Sequence, residues 1–289
     1  MDIVNVIIQA VIQGLTEFLP VSSSGHLSVI QHVTGYTGDS ALILMIVLHM
    51  GTLVAVVAAF WKTIWEMIKE FFFTIGDIFT KKFSWKDMNA NRRMMIMVII
   101  ATLILVPVYI FKDFFTAREG DGDIIFEGLA FLFTAVLLFL ADTCHGTKTG
   151  EKMSVKDAVT VGLFQCVALF PGVSRSGSTT AAGLFCGLEK ETAVSFAFVL
   201  GIPAILGGSV LELGDAIHSD IELDWLALGI GFIVAAAVGF LAITLVKWLI
   251  KNDKFKVFGI YTAVLGLLCI IGGIWENATG TMISSVLGK

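Results

Sequence analysis

Charge is what this chain has little of. Only 15% of its 289 residues are Asp, Glu, Lys or Arg, against 56% that are hydrophobic, and the mean hydropathy is +0.89. Those values exclude an ordinary soluble domain with a large core. The charge that is present leans acidic, net −5, so no basic field exists to gather phosphate backbones and no nucleic-acid partner is expected. The four cysteines, Cys144, Cys166, Cys186 and Cys269, are scattered with no CxxC and no ligand spacing. They read as small buried hydrophobes, not as a disulfide frame or a zinc site. Met1 is followed by acidic Asp2, with no basic n-region and no small-residue cleavage site, so no cleavable signal peptide is expected.

What the chain does have is apolar length. Six segments, about 41–61, 93–112, 125–142, 194–212, 226–250 and 257–275, are long enough to span a bilayer, which takes roughly 18–25 residues. Two more, about 3–20 and 157–171, are shorter. Each stops at a proline followed by a Ser/Gly run and resumes as a weakly apolar piece, about 24–37 and 176–188. Irregular backbone at membrane depth is tolerated only where protein or a wet cavity covers it. The expected fold is therefore an all-α polytopic membrane protein of six transmembrane helices plus two re-entrant hairpins, 3–37 and 157–190.

The basic residues fit that topology. Lys62, Lys69, Lys81, Lys82, Lys86, Arg92 and Arg93 fall in the linker 62–93, and Lys148, Lys152 and Lys156 before the second hairpin. Lys190 stands alone at the end of that hairpin, and the stretch 247–256 holds Lys247, Lys251, Lys254 and Lys256. All fifteen share one face if six helices cross and two hairpins do not; the positive-inside rule makes that face cytoplasmic and puts both termini outside. The opposite face holds Lys112, Arg118 and Lys289, with Glu212, Asp215, Asp220, Glu222 and Asp224 in one loop. Arg175, inside the second hairpin, belongs to neither set.

The hairpins are also copies. At an offset of 152, QGLTEFLPVSSSGH (13–26) lies on QCVALFPGVSRSGS (165–178) with identity at Gln13/Gln165, Phe18/Phe170, Val21/Val173, Ser22/Ser174, Ser24/Ser176 and Gly25/Gly177. Three spans follow each copy, so the second half, 157–275, is inverted relative to the first, 1–142, within a single membrane unit. Inverted repeats of this kind bring hairpin tips face to face near the midplane.

Facing tips collect an unusual polar set. The first brings Gln13, Glu17, Ser22, Ser23, Ser24 and His26; the second brings Ser174, Arg175, Ser176, Ser178 and Thr179. Ionisable groups inside a membrane are costly and mark function. Gln13 and Glu17, four apart, share a helix face and can offer oxygens to a hard cation, Mg²⁺ or Ca²⁺; the plainer alternative is that Glu17 pairs with Arg175 and locks the halves. In PGVSRSGSTT (171–180), Gly172 and Gly177 let backbone N–H groups approach an anion, and Ser174, Ser176 and Thr179 add donors around the Arg175 fork. His26, three residues after Ser23, is a candidate base for that hydroxyl in phosphoryl transfer, or a core imidazole bonded to a carbonyl. His49 is placed to line the site but has no obvious partner, His32 ends the first hairpin, and His145 and His218 fall in loops. Glu127 and Asp142 fall at helix ends, where snorkelling accounts for them.

At these residues the sequence resembles the undecaprenyl-pyrophosphate phosphatase family, the bacitracin-resistance type of integral-membrane phosphatase. Its (E/Q)xxxE element matches Gln13-Gly-Leu-Thr-Glu17, and its PGxSRSxxT element matches 171–179 without departure. Position 13 is glutamine where some members have glutamate. The resemblance implies Glu17 and Gln13 near a divalent metal, Ser23 as nucleophile, His26 as its base, and Arg175 with Ser174, Ser176 and Thr179 on the diphosphate of a polyprenyl lipid. It implies hydrolysis to the monophosphate in the bacterial plasma membrane, with the pocket open to the outer side. Metal-bound water attacking directly is the mechanistic alternative. The rival class is a polyprenyl-phosphate transporter, which needs the anion grip but no Ser23–His26 pair. Small residues in 226–240 (Gly229, Gly231, Ala235, Ala236, Ala237, Gly239) suit close packing, as between two copies in a homodimer.

Overall fold

The structure, a computed structural model, describes residues 2–35, 39–109, 124–216, 224–251 and 255–286. Lys112, Arg118, His218, Asp220, Glu222, Lys254 and Lys289 lie outside the described residues, as do the side chains of Asp215 and Lys251. Among the described residues all regular structure is helical, apart from one isolated parallel bridge between Lys148 and Leu188.

Helix α1 (Ile3–Phe18) starts at Asp2, whose carboxylate accepts from the Val4 N–H at 3.1 Å, an N-cap in the usual sense. The chain breaks after Phe18 and restarts as α2 (Ser23–Thr34), which ends on left-handed Gly35. Helix α3 (Asp39–Ala59) leads into α4 (Trp61–Phe79), then α5 (Ala90–Tyr109) and α6 (Ile125–Asp142). A 3₁₀ turn at Gly150–Lys152 precedes α7 (Val155–Val167), opened by a capping box between Ser154 and Asp157. After a second break come α8 (Arg175–Phe185), α9 (Lys190–Ala216), α10 (Trp225–Lys251), α11 (Lys256–Thr279) and the short α12 (Ile283–Val286).

Among the described residues six helices are long and apolar enough to cross a membrane: Ser40–Ala59, Ala90–Val108, Ile125–Asp142, Lys190–Leu213, Trp225–Ile250 and Lys256–Thr279. These are the six expected segments, with ends moved by a few residues, and the chain is a multi-pass membrane protein. Both shorter apolar stretches break beside their prolines, Pro20 and Pro171.

The stretch 62–93, expected as a linker, contains a helix instead. On α4 the residues Trp61, Trp65, Ile68, Phe72, Ile75 and Phe79 recur at helical spacing and are exposed. Its opposite face carries Glu70 and Asp77, which accept from Nε and Nη1 of Arg92 on α5 at 2.6 and 2.7 Å. Burial raises the Glu70 pKa, but the hydrogen bonds from Asn89 and Arg92 outweigh it and hold the carboxyl below its usual range. The pair is therefore ionised at neutral pH.

Helix packing crosses between the two parts of the chain. Helix α1 lies along α10, α3 along α9 and α10, α7 along α5, and α6 along α11. Lipid tails offer no hydrophobic drive between helices, so close backbone approach and van der Waals contact must hold these crossings. A Cβ on Gly128 would lie 2.8 Å from the Gly266 carbonyl oxygen, and one on Gly266 2.7 Å from that of Gly128. Small residues of α10 are used the same way: Ala235 is fully buried, Gly231 faces Val6 and Leu48, and Gly239 faces Ala55 and Phe18. Three of the residues suited to a homodimer thus pack inside the chain.

A Cβ on Gly51 of α3 would lie 2.6 Å from the Phe232 carbonyl oxygen, whereas one on Gly229 of the same partner helix would meet nothing within 4 Å. Gly51→Ala should therefore destabilise the fold by about 1–3 kcal/mol, the usual cost of overpacking. Gly229→Ala should leave stability unchanged. Apparent Tm values of the purified variants in detergent check the contrast.

Candidate active site

Both chain breaks share a capping pattern, although Ser22 has a φ of +73° and Ser174 one of −69°. In the first, Ser22 N-caps α2 and its Oγ accepts from Gly25 N–H at 3.2 Å; in the second, Ser174 N-caps α8 and accepts from Gly177 N–H at 3.0 Å. Each cap serine also sits beside the hydroxyl two residues on, Ser22 to Ser24 at 3.4 Å and Ser174 to Ser176 at 3.3 Å. The repeated V-S-x-S-G letters thus correspond to a repeated set of serine hydrogen bonds.

The turns touch each other. Ser24 Oγ accepts from Gly172 N–H at 3.4 Å, and Ser176 Oγ donates to the Leu19 carbonyl at 3.1 Å. Gly172 has a φ of +81°, and a Cβ there would lie 2.9 Å from Cβ of Ala130. Glycine alone meets both conditions. The second turn is tied to α6 by Ser174 N–H donating to Thr134 Oγ1 at 3.2 Å.

Across this junction lies the central ion pair. Glu17, in the last turn of α1 and 6% exposed, accepts at Oε1 from a terminal nitrogen of Arg175, the first residue of α8. The other guanidinium terminus donates to the Gly201 carbonyl of α9 at 2.9 Å. Oε2 of Glu17 accepts from Ser23 Oγ at 2.6 Å and from Gln13 Nε2 at 3.0 Å. His49 completes the set: its Nε2 lies 3.6 Å from Glu17 Oε2, while Nδ1 faces the Met45 carbonyl at 2.9 Å. The sequence places His49 where it can line the site but leaves its partner unnamed; that partner stands 32 residues away on another helix.

His26 does not meet Ser23. Its Nδ1 lies 2.6 Å from the Ser22 carbonyl and its Nε2 2.7 Å from the Tyr261 hydroxyl of α11, on whose ring it stacks. Both ring nitrogens are thereby engaged, and the Ser23 proton goes to Glu17. The expected Ser23–His26 hydrogen bond is corrected on this geometry, and the imidazole-to-carbonyl alternative is the one observed. Ser22, whose carbonyl His26 holds, has a φ of +73°, a conformation costing a non-glycine residue on the order of 1–3 kcal/mol. Glu127 is also corrected: it does not snorkel but is 6% exposed and accepts from Ser28 Oγ at 2.7 Å. His32, in the last turn of α2, faces Glu276 of α11 at 2.9 Å.

A cavity of about 640 Å³ opens at the junction. Its polar wall includes Glu17, Ser22, Ser23, Ser24, His49, Ser174, Arg175, Ser176 and Gln165; Leu42, Met45, Leu105, Val106 and Leu211 line it elsewhere. Gly172, Gly177 and Thr179 are not on that wall. Thr179 Oγ1 donates back to the Arg175 carbonyl at 2.8 Å, and the Gly172 and Gly177 N–H groups are taken by serines. The loop builds itself with groups that the sequence offered to an anion.

Among the described residues no group of three or more His, Cys, Asp and Glu side chains is placed to hold a metal. One carboxylate, Glu17, accepts from Nε2 of Gln13, whose buried Oε1 has no partner; Glu17 is on the cavity wall and Gln13 lies behind it. That donor set fits Mg²⁺, which is commonly held by one or two carboxylates with the substrate phosphates completing its shell, and not an all-protein calcium cage of 6–8 oxygens.

The model of one protein family, described as "Bacitracin resistance protein BacA", matches residues 6–268. The chain is 40% identical over 270 residues to an "Undecaprenyl-diphosphatase" of Alkaliphilus metalliredigens, covering 92% of this chain and 96% of that one. It is 38% identical over 284 residues to an "Undecaprenyl-diphosphatase" of Methanobrevibacter smithii, covering 95% and 99%. A third protein of the same name, from Corynebacterium glutamicum, is 36% identical over 272 residues, covering 93% and 89%.

Removing one partner of a buried ion pair leaves the other charge uncompensated, at about 3–5 kcal/mol. Glu17→Leu and Arg175→Leu should each lower the apparent Tm in detergent, and the double variant should be more stable than either single one. A double variant less stable than both would mean that the pair is not the link between the two turns.

Proposed function

The chain belongs to the bacitracin resistance protein BacA family, and from that premise we propose that it is an undecaprenyl-diphosphatase, hydrolysing undecaprenyl diphosphate to undecaprenyl phosphate and inorganic phosphate. Near-complete coverage of relatives bearing that name supports the activity. The observation that carries the chemistry is the Ser23 hydroxyl 2.6 Å from Glu17 Oε2, with Arg175 on the other carboxylate oxygen and all three on one cavity wall.

On this reading Ser23 Oγ attacks the terminal phosphorus as Glu17 takes its proton. A phosphorus–oxygen bond to Ser23 forms as the anhydride bond breaks, and the proton passes through Glu17 to the departing undecaprenyl phosphate. Water then attacks the phosphoserine; Glu17 takes a proton from it and returns one to Ser23 Oγ as inorganic phosphate leaves. Arg175 offsets charge on the transferring group. His26 is a positioning residue here: by holding the carbonyl of left-handed Ser22 it turns Ser23 toward Glu17. Direct attack by water, with Glu17 as base, uses the same carboxylate. A divalent cation held by Glu17 and Gln13 would supply further charge neutralisation on the phosphate oxygens.

We read the two broken elements as re-entrant hairpins of an inverted repeat, 1–142 and 157–275. Their shared serine caps and the crossed packing of α1 on α10 and α7 on α5 support this. The lysine distribution supports a cytoplasmic face at 62–93 and a site open to the outer side of the plasma membrane. There the product re-enters the lipid-carrier cycle of envelope polymer synthesis, which accounts for resistance to bacitracin. The rival transporter reading finds no support in the relatives reported above. A homodimer remains a matter for the residues of α10 that do not pack inward.

The test is phosphate release from undecaprenyl diphosphate by purified protein in detergent. Ser23→Ala should lose several orders of magnitude in kcat/KM, and Glu17→Gln about 10²–10⁴-fold. Wild-type turnover in Ser23→Ala would remove the covalent route. Chelation should abolish turnover and Mg²⁺ restore it; full activity in chelator overturns the metal assignment.

A further inference from the structure

The donors facing the cavity are mostly engaged within the protein. Arg175 gives one terminal nitrogen to Glu17 and the other to Gly201, Ser176 donates to Leu19, and Ser23 donates to Glu17. Gln165 differs from all of these. It lies in the last turn of α7, is 2% exposed, and is on the cavity wall, yet neither Nε2 nor Oε1 has a hydrogen-bond partner among the described residues. A buried carboxamide left so is costly unless something takes its hydrogen bonds.

The repeat tells what is missing. Gln165 is the counterpart of Gln13, each on the helix that leads into its turn. Gln13 donates to Glu17, four residues on; the residue four after Gln165 is Leu169, also on the cavity wall. The same amide thus recurs at the matching sequence position, here on the cavity wall and with no carboxylate four residues on to receive it. An anionic oxygen arriving in the cavity would fill that role. A diphosphate brings two phosphoryl groups, and one arginine already shared between Glu17 and Gly201 does not serve both.

Building on the phosphatase reading, we propose that Gln165 is a substrate-binding residue whose carboxamide donates to the phosphate that Arg175 does not hold. A neutral donor adds direction at that phosphate without adding charge to the site.

The experiment compares Gln165→Met and Gln165→Glu with wild type in the undecaprenyl diphosphate assay, with apparent Tm measured alongside. Methionine keeps the shape and removes the donors. KM should rise about tenfold or more, the loss of a hydrogen bond to a charged group, with kcat within about threefold. Tm should hold or rise, since a partnerless buried amide has been replaced by an apolar chain. Gln165→Glu, of the same shape but negatively charged, should raise KM further. An unchanged KM in Gln165→Met overturns the proposal, and so does a lowered Tm with wild-type KM per folded molecule, which would mark Gln165 as structural. Wild-type turnover in the same assay separates the two readings: if wild type releases no phosphate, the phosphatase reading fails and this one with it.

Discussion

The Glu17–Arg175 pair is the constraint on which the rest hangs. A carboxylate and a guanidinium inside a membrane protein are tolerable only together, and these two come from turns 158 residues apart. Once paired, they fix the register of α1 against α8, and with it which faces of the two turns meet. Ser23, Gln13 and Gly201 are then organised around the pair as hydrogen-bonding neighbours, with His49 Nε2 3.6 Å from the Glu17 carboxylate. The serines beyond the pair hold the turns to themselves and to each other, so the chemistry is concentrated in very few groups.

Two turns with six identities in fourteen positions give an asymmetric site, and three of the eight differing positions set its polarity. Leu169 stands where Glu17 would be repeated, Arg175 where Ser23 would be, and Ser178 where His26 would be. One turn thus supplies the carboxylate and hydroxyl and the other the cation. The shared letters make the scaffold, and the unshared ones make the polarity across it.

The spans were legible because their signal is local. The window 125–142 matches α6 at both ends, and the other five differ by only a few residues. Breaks at Pro20 and Pro171 were legible for the same reason; the capping role of Ser22 and Ser174 comes from the structure. Helix α4 was hidden by its charges, which invited a linker reading; the spacing of Trp61, Trp65, Ile68, Phe72 and Phe79 carried the helix signal. For His49 the sequence shows a place on the site but no partner, and for Gln165 it shows no role, since their environments come from other helices and from what does not face them. The Ser23–His26 pairing was misjudged because spacing within α2 says nothing of Tyr261, which holds the far side of the ring.

The cavity's size has a consequence for selectivity. Some 640 Å³ admits a headgroup and the first carbons of an isoprenoid, but not a long polyprenyl tail. The remainder must lie in the surrounding lipid, where each methylene is worth about 0.8 kcal/mol relative to water. Tail length is then read as a partition coefficient rather than by side chains. A short-tailed analogue would be disfavoured by its low concentration in the bilayer, and a host membrane of altered thickness or fluidity would change which lipids this protein encounters without changing one of its residues.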